Sequence, residues 1–270
     1  MSQQVTERKR MTILDQLAQH ARRRVSLAKK KKPLREIRQQ AMDLPKGDFP
    51  FEKALKKDSI SFICECKKAS PSKGLIAPEY PYLQIAEEYE EAGADCISVL
   101  TEPKWFLGSD RHLEEIAGHV SIPCLRKDFT VDQYMIYEAK VMGASAVLLI
   151  CSILAEDRIR KYISLCDEVG LSALVEVHDE REVDAAVKAG ARIIGVNNRN
   201  LHDFTVDTDN SCRLREQIPD QILFVSESGV RKAEDISKLR SIGADAVLIG
   251  ESLMRAPDKK AKLGELRGGL

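Results

Sequence analysis

No apolar run in this sequence approaches the roughly 20 residues needed to cross a bilayer. The opening stretch, MSQQVTERKRMTILDQ, has no apolar signal core, so neither membrane insertion nor export is expected and the location is read as cytoplasmic. Cys-x-x-Cys pairs are missing, and the cysteines and histidines form no cluster with ligand spacing, so no metal site is expected. The seven cysteines are odd in number. Cys64, Cys66, Cys96, Cys124 and Cys151 fall in apolar stretches, which reads as buried thiols rather than a disulfide framework. Net charge is absent too: 42 basic residues meet 42 acidic ones, which argues against a general polyanion binder. What remains is 270 residues, 43% hydrophobic and 31% charged, enough for a substantial core and too apolar for disorder.

The neutrality is a cancellation. Residues 1–60 carry 16 basic against 7 acidic side chains, a net of +9, and the remainder carries −9. Within the basic part, Leu14, Leu17, Ala21, Val25 and Ala28 recur at helical spacing, so an amphipathic helix is expected, ended or broken at Pro33. Such a helix docks on the body by its apolar stripe, and its charge could help to draw in an anionic substrate. A nucleic-acid arm is the rival reading. No aromatic interleaves Arg22-Arg23-Arg24 or Lys29–Lys32, and no nucleic-acid motif appears, so nucleic acid is not an expected partner.

From residue 60 onward, eight short apolar runs alternate with amphipathic stretches: Ile60–Cys64, Cys96–Leu100, Ile122–Leu125, Ala146–Ile150, Ala173–Val177, Ile193–Val196, Ile222–Val225 and Ala246–Ile249. They are apolar throughout rather than alternating, as strands covered on both faces of a parallel sheet are. Gly93, Gly143, Gly190 and Gly243 stand just before every second run, where glycine supplies the left-handed residue that stops a helix. Eight evenly spaced strands with helical crossovers point to an α/β protein with a (β/α)8 barrel. An open doubly wound sheet is the alternative, and the even spacing without long insertions favours closure. The expected organisation is one domain over 1–270, with 1–59 as an N-terminal helical extension and 60–270 as the barrel.

In such a barrel the chemistry sits where strands run into the following loops. The first strand ends in Glu65-Cys66-Lys67, with Ser70 in its loop; the third runs into Arg126-Lys127-Asp128. The fifth holds Glu176 between two valines, the sixth ends in Asn197-Asn198-Arg199, the seventh in Ser226-Glu227-Ser228-Gly229 and the eighth in Gly250-Glu251. A carboxylate between valines is costly to bury without a partner, and lysines at the barrel mouth are natural partners. Structural ion pairs would satisfy that need, but convergence from five strands favours catalysis. Gly229 and Gly250, on adjacent strands, suit a phosphate bound through backbone N–H groups. Trp105 and Phe106 in the second loop read equally as a wall for a flat ligand or as loop anchors. Of the histidines, only His178 falls near the site.

These motifs resemble those of the indole-3-glycerol-phosphate synthase family. The carriers are Glu65-Cys66-Lys67-Lys68-Ala69-Ser70-Pro71-Ser72, Leu125-Arg126-Lys127-Asp128-Phe129, Leu174-Val175-Glu176-Val177, Gly195-Val196-Asn197-Asn198-Arg199-Asn200-Leu201 and Ser226-Glu227-Ser228-Gly229, in that order. The resemblance covers nearly the whole chain. It implies a cofactor-free lyase of tryptophan biosynthesis that closes the indole ring of 1-(2-carboxyphenylamino)-1-deoxyribulose 5-phosphate with loss of CO2 and water. It further implies Lys127 as general acid, Glu176 as base or stabiliser, and Lys67 on the substrate carboxylate. Glu65 and Glu227 would tune the lysines and hold hydroxyls, and Asn197 would give a neutral hydrogen bond. Ser70, Ser228, Gly229, Gly250 and Glu251 would surround the phosphate, with Arg199 and Phe106 as further substrate contacts. Glu251 departs from the Ser or Ala of some relatives. Because a carboxylate repels phosphate, it is expected to offer its backbone and turn its side chain away. Another phosphosugar barrel enzyme, an isomerase or a Schiff-base aldolase using Lys127, is the alternative.

Overall fold

The structure, a computed structural model, describes residues 11–200 and 203–268; Leu201, named above, lies outside them. Thr12 opens the first helix, α1 (Ile13–Lys31), with a reciprocal cap in which Asp15 N–H donates to Thr12 Oγ1 and Thr12 N–H donates to the Asp15 carboxylate. Leu14, Leu17, Ala21 and Val25 are buried, so the stripe spaced at three and four residues faces the body. Pro33 breaks the chain there, and α2 (Leu34–Asp43) and α3 (Pro50–Leu55) follow.

Eight parallel strands then close on themselves: β1 (Ser61–Cys66), β2 (Cys96–Leu100), β3 (Cys124–Lys127), β4 (Ala146–Ile150), β5 (Ser172–Val177), β6 (Ile193–Asn197), β7 (Leu223–Glu227) and β8 (Ala246–Ile249). Each pairs with its sequence neighbours and β1 pairs with β8, which completes the ring of a (β/α)8 barrel. Nine further helices among the described residues follow the strands: α4 (Tyr82–Glu91), α5 (Asp110–Ala117), α6 (Gln133–Val141), α7 (Glu156–Val169), α8 (Glu180–Lys188), α9 (Asp209–Arg215), α10 (Ala233–Ser241), α11 (Glu251–Met254) and α12 (Lys259–Arg267). Gly93, Gly143, Gly190 and Gly243 all adopt positive φ, from 75° to 88°, the conformation the sequence pattern requires of them.

Alternation along the strands divides the apolar side chains into two sets. Phe62, Cys64, Val99, Val147, Val175 and Val247 face outward to the helices. Ile63, Cys96, Leu125, Leu148, Leu174, Val225 and Leu248 fill the barrel together with Leu14 and Leu17 from α1 and Phe51 and Leu55 from α3. Of the three extension helices, α1 and α3 therefore cover opposite ends. α3 lies at the strand starts, where Ser61 Oγ donates to the Ala54 carbonyl at 3.0 Å and Arg192, just before β6, pairs with Glu52. α1 lies across the C-terminal ends of the strands, on the side where the polar strand-end residues gather. Among the described residues, no helix is long and apolar enough to cross a membrane.

Candidate active site

Several strands run further than their apolar cores. β1 extends through Cys66, β3 through Lys127, β6 through Asn197 and β7 through Glu227, so Glu65, Lys127, Asn197 and Glu227 stand on sheet backbone rather than on loops. A strand held by ladder bonds on both sides is the stiffest mount the fold offers for a side chain that must keep its place.

The cavity above the barrel core has a volume of about 560 Å³ and is lined by Glu65, Lys67, Lys127, Glu176, Asn197 and Glu227 on its polar floor. Leu14 and Leu17 of α1, with Phe106, Phe129, Leu148 and Ile150, give it an apolar wall. Lys127 Nζ lies 3.2 Å from Glu227 Oε2 and 3.5 Å from Glu176 Oε2. Lys67 Nζ lies 2.6 Å from Glu65 Oε1, whose other oxygen accepts from Ser98 Oγ at 3.5 Å. All three glutamates are buried, none more than 4% exposed.

Burial alone would push an ammonium down, yet the charges of Glu227, Glu176 and Glu65 hold Lys127 well above the ordinary lysine value. It is therefore an ammonium with protons to give. Burial pushes Glu65 up, but Lys67 and Lys127 outweigh it and keep Glu65 below the usual carboxylate range. Glu227 goes the other way: burial first, and then the charge of Glu176, push it up to about 7 although Lys127 opposes. Its Oε1 is buried without a hydrogen-bond partner. Two carboxyl groups within one small volume thus have opposite tendencies, the condition under which one fold supplies both a base and an acid near neutral pH. Two glycines make room for them. A Cβ at Gly195 would collide with Glu227 Oε1, and one at Gly250 would collide with Glu65 Oε1 and crowd Lys67 Nζ at 2.9 Å.

The other end of the cavity is built from Ser70, Ser228, Gly229 and Gly250, with Lys73, Arg199, Arg231, Arg255 and Lys262 around them. Ser228 (φ 69°) and Gly229 (φ 97°) both take the left-handed region directly after β7. Ser228 Oγ donates to Asn197 Oδ1 at 3.0 Å, so Asn197 links the polar floor to this end. The expectation that Glu251 turns away is corrected. Glu251 lines the cavity with its carboxylate 3.2 Å from Arg255, 3.9 Å from Lys73 and 4.0 Å from Arg199, and the attraction of these three cations sets its direction. Phe106 joins the cavity wall, whereas Trp105 leans on His20 of α1 with ring centroids 5.4 Å apart; of the two readings left open, each residue takes one.

Arg126, Lys127 and Asp128 form one polar strand end in the sequence, and the structure separates them. Strand alternation sends Lys127 into the barrel and Arg126 outward, where it is 1% exposed and meets Asp110, Glu138 and the Met135 carbonyl. Asp128 turns toward α1 and takes a bidentate pair from Arg24, at 2.5 and 3.0 Å, plus the hydroxyl of Thr101. Arg24 is thus the cation opposite a fully buried carboxylate. Arg24→Ala leaves that carboxylate without its cation, so the variant should lose about 3 kcal/mol of stability in urea unfolding, and a loss below about 1 kcal/mol would make the pair ornamental. His178 was the one histidine expected near the site; its Nε2 lies 3.5 Å from Glu176 Oε1 and its Nδ1 lies 3.1 Å from Glu182 Oε2. Arg24 and Glu182 carry no sequence signal beyond their helices, since what makes them matter is the partner across the gap.

Known proteins similar to this chain point to one family. Residues 14–266 match the family model described as indole-3-glycerol phosphate synthase. A protein of that name from Ruminiclostridium cellulolyticum is 57% identical over 257 residues, covering 95% of this chain and 99% of its own. Another, from Leuconostoc mesenteroides, is 49% identical over 259 residues, covering 95% and 99%. Among solved structures, a 3-hexulose-6-phosphate synthase superposes with a TM-score of 0.64 at 16% identity, over 78% of this chain and 100% of that one, a likeness of fold alone.

Proposed function

Because this chain belongs to the indole-3-glycerol phosphate synthase family, we propose that its cavity closes the indole ring of 1-(2-carboxyphenylamino)-1-deoxyribulose 5-phosphate, releasing CO2 and water, as a step of tryptophan biosynthesis in the cytoplasm. The observation that carries the assignment of roles is Lys127, an ammonium held between Glu176 and Glu227 on the cavity floor. The aryl carbon bearing the carboxylate attacks the ketone carbon, and Lys127 gives a proton to the carbonyl oxygen as the new C–C bond forms. Lys67, paired with Glu65 on the neighbouring strand, orients the substrate carboxylate until its C–C bond breaks and the electron pair returns to the ring as CO2 leaves. The hydroxyl formed in the first step then departs as water with a second proton, given by one of the two lysines, while Glu176 takes up the proton lost from the former methylene carbon of the new ring. Asn197 and Glu227 hold substrate hydroxyls. Ser70, Ser228, Gly229, Gly250 and Arg199 take the phosphate end, and Phe106 meets the anthranilate ring. The apolar wall from α1 excludes water and strengthens each charge interaction within.

An aldolase with a Schiff base on Lys127 is disfavoured by the same charges, since an amine held as ammonium by three carboxylates is a poor nucleophile. Two measurements separate these chemistries. Supplied with the anilino-deoxyribulose phosphate, the protein should produce indole fluorescence without any added metal or cofactor. Borohydride added with substrate should leave no adduct on Lys127. A trapped adduct, or no indole, would overturn the assignment.

A further inference from the structure

Glu102, two residues beyond β2, is fully buried and does not line the cavity, yet a whole loop is folded around its carboxylate. Oε2 accepts from the backbone N–H of Trp105 at 2.7 Å and of Phe106 at 3.1 Å; Oε1 accepts from Lys104 N–H at 3.1 Å and lies 3.0 Å from His20 Nδ1 on α1. Its own carbonyl accepts from Gly108 N–H at 2.8 Å. The return path is equally constrained, because Leu107 sits at φ 53° and a Cβ at Gly108 would collide with the Leu100 carbonyl. What the loop presents is Phe106, with its ring in the cavity 6.1 Å from that of Phe129 and its carbonyl accepting from Ala69 N–H in the loop after β1. His20 is one helical turn before Arg24, so α1 grips two loops from one face: Glu102 through His20 and Asp128 through Arg24.

We propose that Glu102 is a positioning residue through which the docking of α1 sets the Phe106 loop and with it the affinity for substrate. Three successive backbone N–H groups aimed at the two oxygens of one carboxylate meet an NH2 donor at one of those positions when it becomes an amide, and buried donors left unsatisfied make the loop rearrange. Phe106 then loses its place against Phe129. The first loop, which carries Lys67 and Ser70, loses the contact between Ala69 and the Phe106 carbonyl. The effect on turnover rests on the reading of Phe106 as a substrate contact, whereas the latch itself does not.

The test is a double-mutant cycle read in KM and kcat, with an optical readout beside it. Glu102→Gln should raise KM about tenfold, with a much smaller change in kcat, as expected for a loop displaced near bound substrate. Phe106→Ala should raise KM comparably, and the double variant should fall well short of the product of the two single effects, because Glu102 acts mainly through Phe106. Trp105 is the single tryptophan of the chain, so its emission reports this loop alone. Both Glu102→Gln and the milder His20→Gln should shift that emission to the red as the ring loses its seat on α1. KM effects that multiply in the double variant, or emission unchanged in both latch variants, would overturn the proposal. If the emission shifts while Phe106→Ala leaves KM unaltered, the latch stands and the substrate role given to Phe106 falls.

Discussion

Lys127→Ala should remain folded and lose turnover by about three to four orders of magnitude, the span attributable to a positioned acid together with its charge. The fold survives because the carboxylates that lose their cation can take up protons instead of staying ionised in a buried site. Circular dichroism should therefore match that of the parent while indole formation is nearly abolished. Lys127→Arg separates two contributions. A guanidinium keeps a positive charge among the glutamates but does not give up a proton in this pH range, so it should bind substrate and still turn over poorly. Turnover near that of the parent in Lys127→Ala would remove Lys127 from the role of acid.

The second large effect has opposite signs for activity and stability. Glu227→Gln should lower kcat by about 10²-fold through loss of a charged hydrogen-bonding group in the site, and should stabilise the protein above neutral pH. The sign follows from the proton balance. Glu227 ionises near pH 7 when folded, because of burial and the neighbouring Glu176, against an ordinary value of 4.5. A folded state that holds the proton more tightly than the unfolded chain is favoured at low pH. That contribution is complete below 4.5 and lost as pH rises through about 7. Glutamine removes the term. The variant should match the parent near pH 4.5 and exceed it by about 1–3 kcal/mol at pH 8, read as the difference between their urea midpoints at the two pH values. A less stable variant at pH 8 would mean that the attraction to Lys127 outweighs the burial of charge. A trade of stability for a working site is common where charged groups must be held in place.

The barrel was legible because its signals are repeated and local. Eight apolar runs and four helix-stopping glycines at even intervals describe the ring without reference to any contact across it. The site was legible in which residues gather, since a strand-end position is enough to bring Glu65, Lys67, Lys127, Glu176, Asn197 and Glu227 to one cavity. Strand ends were harder. An apolar pattern stops where function begins, so β3 and β7 each run two residues beyond their last apolar side chain. The direction of neighbouring polar residues was harder still. Arg126, Lys127 and Asp128 look alike in sequence, and only the pleat assigns one to the helix layer, one to the cavity and one to α1. Glu251 shows the remaining gap. Its direction depends on Lys73 and Arg199, from two distant loops, as well as on Arg255 one turn along its own helix.

Gly195 and Gly250 have a consequence for descent. Every one of the other residues reachable by a single nucleotide change from a glycine codon brings a Cβ, and at these two places that atom falls on Glu227 or Glu65. Neither glycine can drift without moving its glutamate from this position. A lineage leaving this arrangement passes through a form with a disturbed floor. The side-chain space each glycine gives up is thus inherited together with the carboxylate that fills it, and new chemistry on this scaffold is more accessible through the loops than through the floor.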